Sequence, residues 1–154
     1  MLLIVHLTDI HISDKAEDNP ILSRHQQIAA AISSASSFKE VSSCLLLLTG
    51  DIAQAGLEAE YKLASEFLGS IIANLKQRLP HIAIHTLLVP GNHDCDLSSE
   101  PQARSLILQQ LAHQTEVPDS SVIGIALAPQ AAFAKFAASW HAKNPDSCAF
   151  DPTD

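Results

Sequence analysis

Three short segments of the chain carry groups that bind metal ions or transfer protons. They are "TDIH" with Asp9 and His11, "TGD" with Asp51, and "PGNHD" with Asn92, His93 and Asp94. Carboxylate, imidazole and carboxamide groups together are the mixed oxygen and nitrogen donors that bind borderline divalent metals such as Mn, Fe, Co or Zn. Asp9 and His11 are two residues apart in a loop, so both side chains can bind one ion. The combination predicts a metal site.

The second and third segments allow for a second ion. Asp51 has two carboxylate oxygens and could bridge the first ion to another that is held partly by Asn92. Two ions roughly 3.5 to 4 Å apart stabilise both the attacking and the leaving oxygen of an in-line displacement. Gly50 and Gly91 allow the backbone to turn sharply and to approach the ions.

Each of these residues also has an ordinary structural interpretation. Asp9 or Asp51 could cap the next helix, Asn92 could form a turn, and His11 could be a surface imidazole. Their joint occurrence favours the metal site, because each segment directly follows an apolar run.

The apolar runs predict strands over Leu2–Leu7, Cys44–Thr49 and Ile82–Val89. Their nearly continuous apolarity is typical of parallel strands that are covered on both faces. Strands that alternate with helical patterns indicate right-handed crossovers and an α/β fold with a mostly parallel sheet and flanking helices. Ligands bind beyond the carboxyl ends of such strands, so the three loops should meet at one edge.

Two helical patterns lie between the strands. The first follows "NP", where Asn19 can cap the helix and Pro20 can open it, and it continues to Ala35. The second repeats apolar residues from Leu57 to Leu75 and ends before Pro80.

Two further helical patterns follow the third strand. One begins at Ser99, with Gln102 in the capping-box position. The other follows Pro129 and has an aromatic face that is typical of a core: Phe133, Phe136, Ala137 and Trp140. Residues 142–154 contain two prolines and no period, which predicts a tail or linker after a domain over residues 1–141.

Composition limits the class of protein. The chain has 154 residues, of which 47% are apolar and 17% charged, enough for one packed domain. The net charge of −8, without a run of Lys or Arg, does not favour nucleic acid as a partner. The apolar N-terminus lacks a basic region and reaches Asp9 too early for a signal peptide or a membrane span, so a soluble cytoplasmic protein without a membrane partner is expected.

The three motifs "DIH", "GD" and "GNHD", in this order at strand ends, resemble the calcineurin-like metallophosphoesterases. The resemblance covers residues 1 to about 96 and depends on all three motifs, since "GD" alone is uninformative. It implies hydrolysis of a phosphodiester or phosphomonoester through a metal-bound hydroxide at a dinuclear site. The implied ions are Mn, Fe or Zn, and the implied partner is a phosphate-ester substrate.

The resemblance also implies a role for each site residue. The two ions would be held by Asp9, His11, Asp51 and Asn92, with Asp51 bridging them. His93 would stabilise the phosphoryl transition state or protonate the leaving oxygen, and Asp94 would orient the ring of His93.

Within the family, the second motif separates subgroups. "GDIAQAG" lacks the Asp-Arg-Gly of the Ser/Thr protein phosphatases, and "LTGDIAQAGLEAEYKLASEFL" is similar to the class III cyclic nucleotide phosphodiesterases. Tyr61 and Phe67 in this stretch also fit a helix core. Exonuclease-like members are disfavoured by the acidic balance of the chain.

Complete family members continue with a second sheet, a further His and a Gly-His-x-His motif, which this sequence does not show. His113 and His141 lack such a context and are interpreted as surface or structural residues. The resemblance therefore implies the N-terminal half of a four-layer αββα metallophosphoesterase sandwich, whose natural partner is the missing C-terminal half. The alternative is a truncated or degenerate, catalytically inactive domain that acts as an interaction module.

Overall fold

One parallel sheet organises the chain in the computed structural model, which describes residues 1–36, 40–98, 102–113 and 117–149. Its strands are β1 Leu2–Leu7, β2 Ser43–Thr49, β3 Ala83–Val89 and β4 Ser147–Ala149. They pair in the order β1-β2-β3-β4, and every pair is parallel. The three predicted strands are confirmed to within one residue, and so is the α/β fold.

Helices fill the connections between the strands. They are α1 His25–Ser36, α2 Glu58–Arg78, α3 Gln102–Leu111, α4 Ser120–Leu127 and α5 Ala131–Lys143. Short 3-10 turns cover Ala16–Asp18, Pro20–Arg24 and Ala128–Gln130. The predicted helices after "NP", before Pro80 and after Pro129 are confirmed, whereas α4 was not predicted because its apolar residues show no clear helical face. The predicted start of the third helix, Ser99, lies outside the described residues.

The sheet has one covered face. Cys44, Leu46 and Leu48 point into the core, where they join buried residues of α1, α2 and α5. On the opposite face, the side chains of Leu2 and Ile4 are 51% and 57% exposed. The strand composition predicted cover on both faces, but the described residues place helices against only one of them.

Asn19 does not cap a helix as predicted. Its side chain is buried and turns back toward the segment that follows the "DIH" motif. The amide oxygen accepts from Ser13 N at 2.8 Å, and the amide nitrogen donates to the carbonyls of Ser13 and Lys15 at 3.0 and 2.6 Å. The first residues after Asn19 form a 3-10 turn, in which no side-chain cap is made. Asn19 therefore holds the loop rather than the helix.

Residues 142–154, predicted as a tail or linker, include a strand. β4 pairs with β3 through Thr86, Leu87 and Leu88. The sequence pattern could not reveal this strand, because it is only three residues long and depends on the unpaired backbone groups at the β3 edge. Residues 150–154 lie outside the described part of the chain.

The segment Ser120–Lys143 is long and apolar enough, by length and composition, to cross a membrane. This is weak evidence, because a core helix of a soluble protein passes the same test. The aromatic face that was predicted for this segment is buried against the rest of the protein: Phe133, Phe136, Ala137 and Trp140. The Trp140 indole donates to Thr86 Oγ1 at 2.9 Å, which anchors α5 to β3.

Candidate metal centre

The loops that follow β1 and β2 continue the pairing of their strands. His11 N donates to the carbonyl of Asp51 at 2.9 Å, and Ile12 N donates to the carbonyl of Ile52 at 2.9 Å. Ile12 is fully buried, so the loop is anchored directly behind His11. The first two motifs therefore lie side by side at the carboxyl edge of the sheet, as predicted.

Three of the predicted ligands have an unusual backbone conformation. The φ angles of Asp9, His11 and Asp51 are 55°, 51° and 53°, in the left-handed region. This conformation costs about 1 to 3 kcal/mol for a residue other than glycine and clusters at functional sites. In the described chain these are the non-glycine residues with positive φ, so the strain is concentrated in two of the motifs.

Side chains from all three motifs converge at this edge. Potential ligand atoms of His11, Asp51 and His93 lie within 4.8 Å of one another. The rings of His11 and His93 meet edge to face, with centroids 4.6 Å apart. Asp9 Oδ1 is 3.9 Å from His11 Nε2, and the exposed side chain of Asn92 lies in the same turn as His93.

An unsatisfied nitrogen tests whether these residues suit a metal ion. His11 Nδ1 is buried and has no hydrogen-bond partner among the described residues. A buried polar atom without a partner is costly and calls for a missing ligand. Imidazole nitrogen and carboxylate oxygen are the ligands of Zn, Mn and Fe sites, so the donor set fits a divalent ion.

The ring of His93 is held by a backbone carbonyl. Its Nδ1 lies 2.8 Å from the carbonyl oxygen of Gln54, in the loop after β2. Because a carbonyl oxygen only accepts, Nδ1 carries a proton and donates it, which leaves Nε2 as the ring nitrogen available to another partner. The resemblance implied that Asp94 orients this ring, but the partner observed is Gln54. No sequence pattern marks a backbone carbonyl, which is why Gln54 was not predicted.

Asp94 instead binds the loops themselves. Its side chain is fully buried. Oδ1 accepts from Ala53 N and from the Tyr61 hydroxyl, both at 2.9 Å, while Oδ2 accepts from Gly91 N at 2.9 Å and Ile52 N at 3.3 Å. Burial raises the pKa of the Tyr61 hydroxyl, and the neighbouring Asp94 carboxylate raises that pKa further. The hydroxyl thus stays protonated and remains a donor.

Asp51 makes the reciprocal contact. Its Oδ1 accepts from His93 N at 3.0 Å. This contact requires glycine at position 91, because a Cβ there would lie 2.5 Å from Asp51 N and would overlap the Asp51 carboxylate. Gly50, with a φ of 98°, is equally restricted, since its Cβ would lie 2.8 Å from Gly91 Cα.

Four other histidines have hydrogen-bond partners within the protein, which for His141 agrees with its interpretation as a surface or structural residue. The pairs are His6 with Thr49, His25 with Asn74, His85 with the carbonyl of Asp146, and His141 with Ser147.

A comparison with protein families agrees with this geometry. The profile described as calcineurin-like phosphoesterase matches residues 2–133, which include all three motifs and most of the chain. No curated protein matches the chain. With the family profile covering both the sheet and the cluster of potential ligands, the chain belongs to the calcineurin-like phosphoesterase family.

Proposed function

We propose that this chain is the motif-bearing N-terminal half of a dinuclear metal-dependent phosphoesterase that hydrolyses a phosphodiester or a phosphomonoester. The observation that carries the proposal is the convergence of His11, Asp51 and His93 within 4.8 Å, with His11 Nδ1 buried and unpaired among the described residues. A structural role would provide that nitrogen with a protein partner.

The residues that would hold the two divalent ions are Asp9, His11, Asp51 and Asn92. When bound, Mn, Fe or Zn ions offset the negative charge of a phosphate ester and activate water for attack. The left-handed backbone of Asp9, His11 and Asp51 supports this assignment, since such strain persists where the surrounding structure requires it for function.

His93 is the proposed acid. Its Nδ1–H is held by the Gln54 carbonyl, so the ring has a fixed orientation and Nε2 is the nitrogen available to a substrate. With a second proton on Nε2, the ring can stabilise the phosphoryl transition state or give that proton to the leaving oxygen. Asp94 assists indirectly, because it binds backbone N–H groups of both loops.

The uncovered face of the sheet supports a larger domain. Leu2 and Ile4 are more than half exposed, and they neighbour the half-buried Leu45 and Leu47 on the same face. Soluble monomers rarely leave a continuous apolar face of this kind in water. A C-terminal half of the same domain would cover it and bring further ligands.

Of the two ester classes, a phosphodiester is favoured by the similarity of "GDIAQAG" and the following residues to class III cyclic nucleotide phosphodiesterases. The net charge of −8 supports a small ester rather than a nucleic acid, whose phosphate backbone selects basic surfaces.

The alternative is an inactive domain that serves as an interaction module. It is favoured by the ligand set itself, because the tight cluster found within the described residues contains three side chains, fewer than two ions need. A single weakly held ion would be consistent with such an inactive domain.

One set of assays separates the two functions. The 154-residue chain and any longer gene product that continues past Asp154 are assayed with bis(p-nitrophenyl) phosphate and p-nitrophenyl phosphate, with Mn²⁺ or with a chelator. Turnover by the longer product that the chelator abolishes supports the enzyme. Turnover that survives the chelator overturns the metal-dependent mechanism, and a longer product that is folded but inactive with every metal tested supports the interaction module.

A further inference from the structure

Asp94 is the point at which two site loops and one helix meet. Each backbone N–H that it binds lies beside a residue of the candidate centre, since Ile52 follows Asp51, Ala53 precedes Gln54, and Gly91 precedes Asn92. Among the described residues no cation pairs with this buried carboxylate, so hydrogen bonds alone offset its desolvation. The fourth bond, from Tyr61, is the one that comes from outside the loops.

The Tyr61 hydroxyl has a fixed position because the ring is locked by packing. Tyr61 is 3% exposed, stacks on Phe136 at 5.1 Å with an interplanar angle of 17°, and meets Phe133 edge to face at 6.1 Å. These aromatic rings belong to α5, whereas Tyr61 belongs to α2. The α2–α5 layer thus sets where the hydroxyl lies, and the hydroxyl in turn restricts the Asp94 carboxylate.

We propose that Tyr61 is a positioning residue, whose hydroxyl holds Asp94 in the orientation that aligns the Asp51 and His93 loops for metal binding. The metal-binding part of this inference rests on the proposed function. Tyr61 is not one of the proposed ligands, and its buried hydroxyl donates to Asp94. It acts through Asp94, and the two loops that it aligns are also joined by the bonds that His93 N and His93 Nδ1 donate to Asp51 Oδ1 and to the Gln54 carbonyl.

The test compares Tyr61→Phe with Ile71→Val in the full 154-residue chain. Tyr61→Phe keeps the ring and its stacking on Phe136, and removes only the donor to Asp94. Ile71→Val is the matched control: Ile71 is a fully buried residue of the same helix, and the change removes one methylene group far along α2 from Asp94. Thermal unfolding first confirms that both variants are folded at the assay temperature.

The first readout, amide hydrogen exchange followed by nuclear magnetic resonance without added metal, does not depend on the proposed function. In Tyr61→Phe we expect the amides of Ile52, Ala53 and Gly91 to exchange about tenfold faster, the loss of one hydrogen bond to a charged group, while amides of β2 change little. In Ile71→Val the exchange rates of these three amides should increase no more than those of amides in the core. Equal exchange in Tyr61→Phe and wild type would overturn the proposal.

The second readout is the affinity for Mn²⁺, measured by calorimetry. Because its loops are less well aligned, the Tyr61→Phe variant should bind Mn²⁺ about three- to tenfold more weakly than wild type. A residue with only a general role in stability would leave the affinity of the folded protein unchanged, and this is the result expected for Ile71→Val. Mn²⁺ binding by Tyr61→Phe that equals that of the control contradicts the positioning role. If the wild-type chain binds no Mn²⁺, the proposed metal site fails, and faster exchange of the three amides then still supports alignment of the loops by Tyr61.

Discussion

Asp51 and Asp94 each bind the backbone of the other's loop. Asp51 Oδ1 accepts from His93 N at 3.0 Å, and the Asp94 carboxylate accepts from Ile52 N and Ala53 N at 3.3 and 2.9 Å. The two loops are therefore joined by side chains in both directions. Asp51 is also a proposed metal ligand. The carboxylate that would bind the ion therefore also holds the loop that carries His93.

In the third motif, the neighbouring side chains of His93 and Asp94 have different surroundings. His93 lies at the surface of the cluster, with its ring directed by the Gln54 carbonyl. Asp94, the next residue, is fully buried and satisfied by four donors. One turn thus provides both a reactive side chain and the contact that holds it in place.

The close approach of Gly91 to Asp51 leads to a first prediction. Gly91→Ala should destabilise the protein by about 1 to 3 kcal/mol, since the new Cβ overlaps Asp51, and it should also abolish Mn²⁺ binding. Gly69→Ala is the matched control. It lies on the exposed side of α2 with no atom within 4 Å of its Cβ, and should stabilise by about 0.5 to 1 kcal/mol. Urea unfolding and calorimetric titration measure both effects, and a stable Gly91→Ala with normal Mn²⁺ affinity would contradict the geometry.

A second prediction separates ligand from acid. Asp51→Asn should lower both the bound Mn²⁺ and the rate of ester hydrolysis by the active longer product. His93→Ala should keep its metal and lose roughly 10²- to 10⁴-fold in rate, the usual contribution of a positioned acid or base. Metal analysis beside kinetics decides between the roles. His93 lies within the cluster, so equal metal loss in the two variants would identify it as a ligand.

Much of the fold could be predicted from apolar runs. The strands Leu2–Leu7, Ser43–Thr49 and Ala83–Val89 are nearly continuous apolar segments, and the long periodic pattern of Glu58–Arg78 is the clearest helix. β4 and α4 were not predicted, for a physical reason. A three-residue edge strand depends on a neighbour that the local pattern does not contain, and α4 has no buried residue that would give it a helical period.

At the candidate site, the residue types could be predicted but not their hydrogen bonds. The positions of His11, Asp51 and His93 followed from strand ends that meet at one sheet edge. The partner of the His93 ring is a backbone carbonyl, and the role of Tyr61 depends on α2 packing beside the third loop. Such contacts exist only after folding, so the family resemblance implied Asp94 as the orienting group, and the helical pattern indicated Tyr61 as a core residue.

A third prediction concerns the support of the first loop by Asn19. Asn19→Ala removes three hydrogen bonds to backbone groups of Ser13 and Lys15 in a buried position, and leaves those groups without these partners. We expect a loss of about 1 to 3 kcal/mol in the free energy of unfolding. Ser23→Ala, which removes one exposed bond to the Pro20 carbonyl, should change stability by less than about 0.5 kcal/mol. Chemical denaturation compares the two, and equal small effects would show that the first loop does not need Asn19.

The last prediction is that residues 1–154 alone associate and show no measurable turnover with Mn²⁺. The expected association is caused by the uncovered face of the sheet, where Leu2 and Ile4 are 51% and 57% exposed beside Leu45 and Leu47. Neighbouring exposed apolar side chains on a sheet face promote association in water. Ile4→Lys should therefore shift the chain toward the monomer in light scattering, and Leu47→Lys in β2, inside the sheet, should do the same. The second variant distinguishes association through the face of the sheet from association through the β1 edge. Leu106→Lys, at a 63% exposed leucine on α3, is the matched control and should leave the association unchanged. A monodisperse, active wild-type monomer would show that the described fold needs no further half, and association that only Leu106→Lys relieves would place the contact on α3 instead.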